Sequence, residues 1–391
     1  MERLILILIG FFPVIDTFLG AIYTGESVLG VAFKSFTLVL MTFHLFLTSK
    51  SRYWIVLVLI VPVVYMIHYS TSTRLSIVSE FSSITKVLFF FISCLFFKGV
   101  SKNERNYKYV CFILVLGFIT IAFNVVFGLL GYGGYTYTAL QYGVKGFIYA
   151  GNEMSFLLSL LTIFLVVISK ENTIKVFLVV FLSFFLGVQI ATKSAVLSSF
   201  IIFLLYLVSF RVINIYLVFF LVIVPIVGLP YFIESDFILS TTERFESVSI
   251  MSMMTSGRLD YLDSLLIAIP YFGLEEFFFG YSKSYIFEIT GHNGVEMDFI
   301  DIFYWHGAVL FSLLCFFVFF IINQVVIGER KVRIYLLLSF LLFFAMAFMA
   351  GHIFTSGMIT PLLGLFVYFS DYNKREVLVG HRSRARLLKR F

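Results

Sequence analysis

Three short polar interruptions in an overwhelmingly apolar chain carry residue types able to do chemistry. The first is Gln189-Ile190-Ala191-Thr192-Lys193-Ser194, between two apolar runs. Lys193 there either projects a cation into a cavity, with Thr192 and Ser194 as hydrogen-bond donors, or sits in an ordinary hairpin turn with its ammonium at headgroup level. The second is Thr255-Ser256-Gly257-Arg258-Leu259-Asp260, preceded by Arg244 in Thr-Glu-Arg-Phe. A guanidinium is a planar, permanently charged fork that matches phosphate oxygens. Ser-Gly before Arg258 predicts a tight turn opening a short helix whose amides also suit an anion. The plainer alternative is a solvated arginine paired with Asp260 or Glu246. The third runs from Gly291 to Asp301 and holds His292, Glu296, Asp298 and Asp301. A helix beginning near His292 would put His292 and Glu296 on one face and Asp298 and Asp301 on another. A histidine beside carboxylates can move protons. The same carboxylates also suit a helix N-terminus. One histidine without a third well-spaced ligand does not make a metal site.

The elements that must position these residues are membrane spans. Of 391 residues, 61% are hydrophobic, 13% are charged and 52 are Phe. Mean hydropathy is +1.03. A soluble domain of this size carries about twice that charged fraction, so lipid is the expected solvent. Apolar runs near the ~20 residues a span needs fall at 4–23, 28–48, 53–70, 82–97, 109–131, 150–169, 173–190, 193–210, 212–232, 298–327, 332–350 and 353–370. The expectation is a single all-α membrane domain, 1–391, of about 12 transmembrane helices. The first run lacks a convincing cleavage site and reads as an uncleaved span. Cys94, Cys111 and Cys315 lie inside apolar runs and read as small hydrophobes.

Charge placement orients this map. With the N-terminus inside, the inner side holds Arg3, Lys50, Arg52, Lys98, Lys102, Arg105, Lys108, Lys170, Lys175, Arg211, Arg330, Lys331 and Arg333. Seven more lie in the basic tail, 372–391, giving twenty of the 28 Lys and Arg. The positive-inside rule then puts both termini in the cytoplasm. The net charge of +6 is accounted for by these loops and implies contact with anionic membrane lipid rather than nucleic acid. One long loop, 233–297, falls outside, in the periplasm of the expected inner membrane. A Gly/Tyr-rich stretch, Tyr132–Phe147, lies outside as well.

Eight basic residues remain on the outer side: Lys34, Arg74, Lys86, Lys145, Lys193, Arg244, Arg258 and Lys283. Any one can snorkel to the headgroups; as a set they are better explained by an anion site near the outer surface. The chain has no Walker loop, dinucleotide fingerprint, G-x-S-x-G or HExxH, and no soluble domain for a nucleotide. A substrate would arrive through the membrane or from outside.

Taken together, these features resemble the O-antigen polymerase and ligase superfamily, particularly the Wzy-type polysaccharide polymerases. The likeness rests on Ala191–Ser194, Ser256–Arg258 and His292–Asp301. Ala350-Gly351-His352-Ile353-Phe354-Thr355-Ser356 and the Gly151-Asn152-Glu153 start of the sixth span add to it. Lys193 departs from the family pattern, since the ligases carry Arg there. The resemblance implies a fold related to the C-type membrane glycosyltransferases. It also implies transfer of a glycan from an undecaprenyl-diphosphate carrier to a sugar hydroxyl of a second lipid-linked repeat, with no cofactor or metal and with a chain-length regulator as possible partner. Arg258, Arg244 and Lys193 would hold the diphosphate and His292 or Glu296 would take the proton, with His352, Asp298 and Asn152 as secondary candidates. The ligase differs only in its acceptor. A lipid-linked oligosaccharide flippase is the rival class, but it predicts two similar halves that this chain lacks.

Overall fold

In lipid the backbone must satisfy its own polar groups, so apolar runs of bilayer length become helices. A computed structural model describes residues 1–23, 27–48, 52–70, 77–137, 141–148, 150–210, 258–292, 294–327 and 329–372. Helices α1 (Glu2–Gly10), α2 (Phe12–Ile22), α3 (Val28–Thr48), α4 (Arg52–Ser70), α5 (Ile77–Gly99) and α6 (Glu104–Leu129) come first. A two-stranded antiparallel hairpin, β1 (Gly134–Tyr137) and β2 (Tyr142–Gly146), follows, with Tyr135 opposite Val144. Then come α7 (Gly151–Ser169), α8 (Thr173–Ile190) and α9 (Lys193–Phe210). After the long loop's described part, α10 (Arg258–Ala268), α11 (Leu274–Phe279) and α12 (Lys283–Thr290), the chain forms α13 (Asp298–Val325), α14 (Arg330–Ala350) and α15 (Thr360–Leu363).

Among the described residues eight helices are long and apolar enough to cross a membrane, or nine if the bent pair α1–α2 is one span. The chain is a helical multi-pass membrane protein. The expected run 212–232, the loop segment 233–257 and the tail beyond residue 372 lie outside the described residues. α5 and α7 are the central helices, whereas α3, α6 and α8 turn many large apolar side chains outward, Phe36, Phe43, Phe123 and Phe185 among them. That inside-out distribution suits lipid. Hydroxyls join α7, α8 and α9 within the bundle. Ser155 meets Thr192, Ser159 meets Ser198, and Ser183 links Thr162 at 2.8 Å to Ser199 at 3.0 Å. Small polar side chains let helices approach and hydrogen-bond where no hydrophobic force drives them together.

The two ends of the bundle differ. Glu2 bonds Ser101 and Asn106, Lys102 lies 3.9 Å from Asp371, and Lys170 lies 3.4 Å from Glu329. Among the described residues the basic loops at 98–108, 170–175 and 329–333 are thereby gathered at one end. The hairpin, the starts of α3, α5, α7 and α13 and the end of α14 form the other.

Three expected spans are interrupted. The run 4–23 is two helices bent by 41° at Phe11, where Pro13 sits in the first turn of α2; proline lacks an N–H and suits a new helix start. The run 353–370 is not a continuous helix: residues 351–359 are irregular and buried, and helix resumes only at Thr360, covering 365–372 after a break at Gly364. Within 298–327, Gly307 has φ 66° and ψ −172°.

That third break is filled from outside the helix. The backbone at Phe278–Gly280 crosses Gly307 so closely that a Cβ on Gly307 would lie 2.4 Å from the Phe278 carbonyl carbon. The freed carbonyls of Tyr304 and Trp305 accept from the amides of Tyr281, at 2.8 Å, and Ser282, at 3.0 Å. The Tyr65 hydroxyl bonds the His306 carbonyl and accepts the Leu310 amide at 3.3 Å. Gly307 thus seats the long loop against the bundle. Gly307→Ala combines a left-handed φ with a backbone clash. It is expected to lower the thermal midpoint of the detergent-purified protein by several degrees, whereas Gly291→Ala, which meets no neighbour within 4 Å, should lower it less. Equal midpoints for the two variants would refute the role assigned to the crossing.

Candidate functional site

At the end away from the basic loops a cavity of about 280 Å³ opens among α2, α3, α5, α7 and the irregular segment 351–359. Its charged lining is Asp16, Lys34, Lys86, Glu153, Lys283 and His352, joined by Ser83, Thr85, Thr355 and Trp305. Lys34 is paired with Asp16 at 2.7 Å. Lys283 places its ammonium 5.2 Å from the Trp305 ring. Glu153, in the first turn of α7, has Lys86, Lys34, His352 and Asp16 as its charged neighbours. Three lysines against two carboxylates leave the lining net positive, so the cavity suits an anion that also brings its own apolar or hydroxylated body. Charges at this depth of a bundle are costly unless a polar cavity or a ligand receives them.

Buried carboxylates build the walls. Asp298 accepts the amides of His352 at 2.9 Å, Ile353 at 2.6 Å and Phe354 at 2.8 Å, and the Thr355 hydroxyl at 2.8 Å. It therefore holds the irregular segment that carries His352. Asp301 accepts from Val295 at 2.6 Å and Met297 at 3.1 Å. Glu80, fully buried, receives the amides of Lys283 and Ser284 and the Ser284 hydroxyl, capping α12 from another helix. Gly351, at φ 61°, presses on the Glu296 carbonyl, where an added Cβ would lie 2.1 Å away. On β2, burial lowers the pKa of Lys145, which weakens its hold on a proton.

The sequence-derived residues divide between the cavity and its surroundings. His352 lines the cavity at a left-handed φ of 64°. Asn152 is half-buried beside Glu153 at the start of α7. Arg258 is buried as the first residue of α10 and pairs with Glu296 at 3.2 Å. Lys193 is exposed, starts α9 and has Arg258 as a charged neighbour. Asp298 is buried in the wall. Arg244 lies outside the described residues.

The expected helical face shared by His292 and Glu296 does not exist. α13 begins at Asp298, and Glu296 adopts φ 61°. Asp301 claims the Val295 and Met297 amides, which a helix begun at His292 would have bonded within itself. His292 is exposed in a turn, its ring 4.4 Å from that of Tyr261. Asp298 and Asp301 do share the first turn of α13.

In the sequence Lys34, Lys86 and Lys283 group only as outer-side cations, Glu153 stands only within Gly151-Asn152-Glu153, and Asp16 and Glu80 are left unassigned. The available signal was a charge inside an apolar run. Among the described residues no three His, Cys, Asp or Glu side chains converge as a metal site. No protein-family model, curated protein or solved structure matches the chain.

Asp298→Asn replaces one acceptor oxygen with an amide donor amid four donors. Each buried group left without a partner costs about 1–3 kcal/mol. The expected outcome is loss of hydrogen-exchange protection at residues 352–355, with protection of α9 unchanged. Undiminished protection at 352–355 would show that the carboxylate is not what holds the segment.

Proposed function

We propose that this chain is a bacterial inner-membrane polysaccharide polymerase of the O-antigen (Wzy-type) class. It transfers a glycan from an undecaprenyl-diphosphate carrier to a sugar hydroxyl of a second lipid-linked repeat. The observation that carries this reading is the net-positive cavity at the end of the bundle opposite the basic loops. By the positive-inside rule those loops are cytoplasmic, so the cavity belongs to the periplasmic side. A diphosphate ester there meets Lys34, Lys86 and Lys283.

Cations preorganised in a low-dielectric site stabilise the charge that develops on the departing diphosphate. Glycosyl transfer from such a donor needs a leaving-group clamp, an acceptor hydroxyl and a proton acceptor. The cavity and its rim supply the first and last: cations for the diphosphate, and Glu153, His352 and Glu296 as bases. Exposed Tyr132, Tyr135 and Tyr137 on the hairpin offer faces for sugar rings. The Arg258–Glu296 pair puts a phosphate-matching guanidinium beside a half-exposed carboxylate.

Deletion of the gene followed by electrophoresis of cell-surface glycan tests the reading. A polymerase leaves a single capped repeat. An uncapped core would assign the chain to ligation, and repeats trapped on the inner leaflet would assign it to flipping. Orientation is checked by labelling Tyr271→Cys in a cysteine-free background. The residue is 86% exposed, and labelling by a membrane-impermeant reagent from the periplasm is expected; access from the cytoplasm alone would reverse the map. Arg258→Ala is expected to abolish polymer at normal protein level, and Arg258→Lys to restore little, because an ammonium lacks the fork. Full activity of Arg258→Ala would remove this residue from the site.

A further inference from the structure

We infer that Glu153 is the catalytic base, the group that takes the acceptor hydroxyl's proton as the glycosidic bond forms. The inference rests on the polymerase reading and names a residue in its site. His292 was the sequence-derived candidate, but it lies on an exposed turn with its ring tilted against that of Tyr261, and it does not line the cavity. Glu296 is engaged with Arg258. Glu153 lines the cavity together with the lysines that would hold the diphosphate. Proton acceptor and leaving-group clamp therefore share one space.

The groups facing Glu153 come from each wall: Asp16 from α2, Lys34 from α3, Lys86 from α5 and His352 from the irregular segment. Lys145 on β2 and Lys193 on α9, elements also packed against α7, are not part of the lining. The lysines that would hold the diphosphate are thus the ones that surround the Glu153 carboxylate.

The step balances. The acceptor oxygen forms a bond to the anomeric carbon of the donor sugar while the bond from that carbon to the phosphate oxygen breaks. The diphosphate carrier leaves with the electron pair, and the hydroxyl proton passes to the Glu153 carboxylate, to be released to water afterwards.

The test uses full-length protein in lipid nanodiscs with lipid-linked repeats extracted from a strain lacking the gene. General-base assistance is worth about 10²–10⁴-fold. Glu153→Gln should slow polymerisation by at least about 100-fold, and Glu153→Asp should retain intermediate activity. Binding of undecaprenyl diphosphate, read by fluorescence of Trp305 in a Trp54→Phe background, should stay within about twofold of the parent. The parent's rate should fall on the acid side as the carboxylate protonates, and the residual rate of Glu153→Gln should lack that limb. Activity of Glu153→Gln within threefold of the parent would overturn the assignment. So would loss of undecaprenyl diphosphate binding in both variants, which makes Glu153 a wall residue. Disappearance of the acid limb in His352→Gln instead would give the proton to the imidazole. If the parent forms no polymer from these repeats, the polymerase reading falls and the assignment with it.

Discussion

The architecture depends on one constraint: backbone amides that leave a helix inside an apolar bundle must find an acceptor there. Asp298 meets it for the segment after α14 by taking three consecutive amides and a hydroxyl on one carboxylate. Asp301 does the same for the turn before α13, and Glu80 for the start of α12. These three acids are structural acceptors. Each stands in for backbone carbonyls that a continuous helix would have supplied.

These acceptors permit irregular backbone where a cavity is to be walled. The segment 351–359 replaces what would otherwise be a helical wall. It brings His352, Thr355 and Met358 to the cavity and packs Gly351 against Glu296. The break at Gly307 does related work for α13, letting the 278–282 backbone cross it and carrying Lys283 and Trp305 to the lining. Helices α5 and α7, the most enclosed spans, contribute Lys86 from within α5 and Glu153 from the first turn of α7. Regular helices give the bundle its stability and broken ones give it an interior.

Electrostatics completes the arrangement. The Lys34–Asp16 pair neutralises one cation, while Lys86, Lys283 and Glu153 share the remaining space. A mixed lining of this kind suits a ligand with a charged head that must be held and then released, since an all-cationic pocket would retain the leaving diphosphate. Arg258 and Glu296, paired beside it, repeat the same balance on the loop side. In the proposed reaction this balance lets one site bind an anionic donor and still accept a proton.

The solvent of this protein was legible in its sequence. Apolar runs in lipid have no alternative to helix, so most spans and their approximate limits followed from length and hydropathy, as did the grouping of basic loops at one end. Arg258 and Lys193 stood out as candidates because charge is conspicuous in an apolar chain, whereas His352, which lines the cavity, was singled out by the family resemblance. The interruptions within the spans were not legible. Whether Gly307 continues a helix or breaks it, and whether 353–359 coils or stays irregular, depends on acceptors and donors more than forty residues distant in sequence, such as Asp298 for Ile353 and Tyr65 for His306. The helix start was misplaced for the same reason: Asp301 holds the Val295 and Met297 amides in a non-helical turn, so His292 and Glu296 part. Glu153 stood in plain view in Gly-Asn-Glu, yet only packing shows that it faces Lys34 and Lys86, because each of those residues belongs to a different helix and local periodicity carries no information about which helices meet.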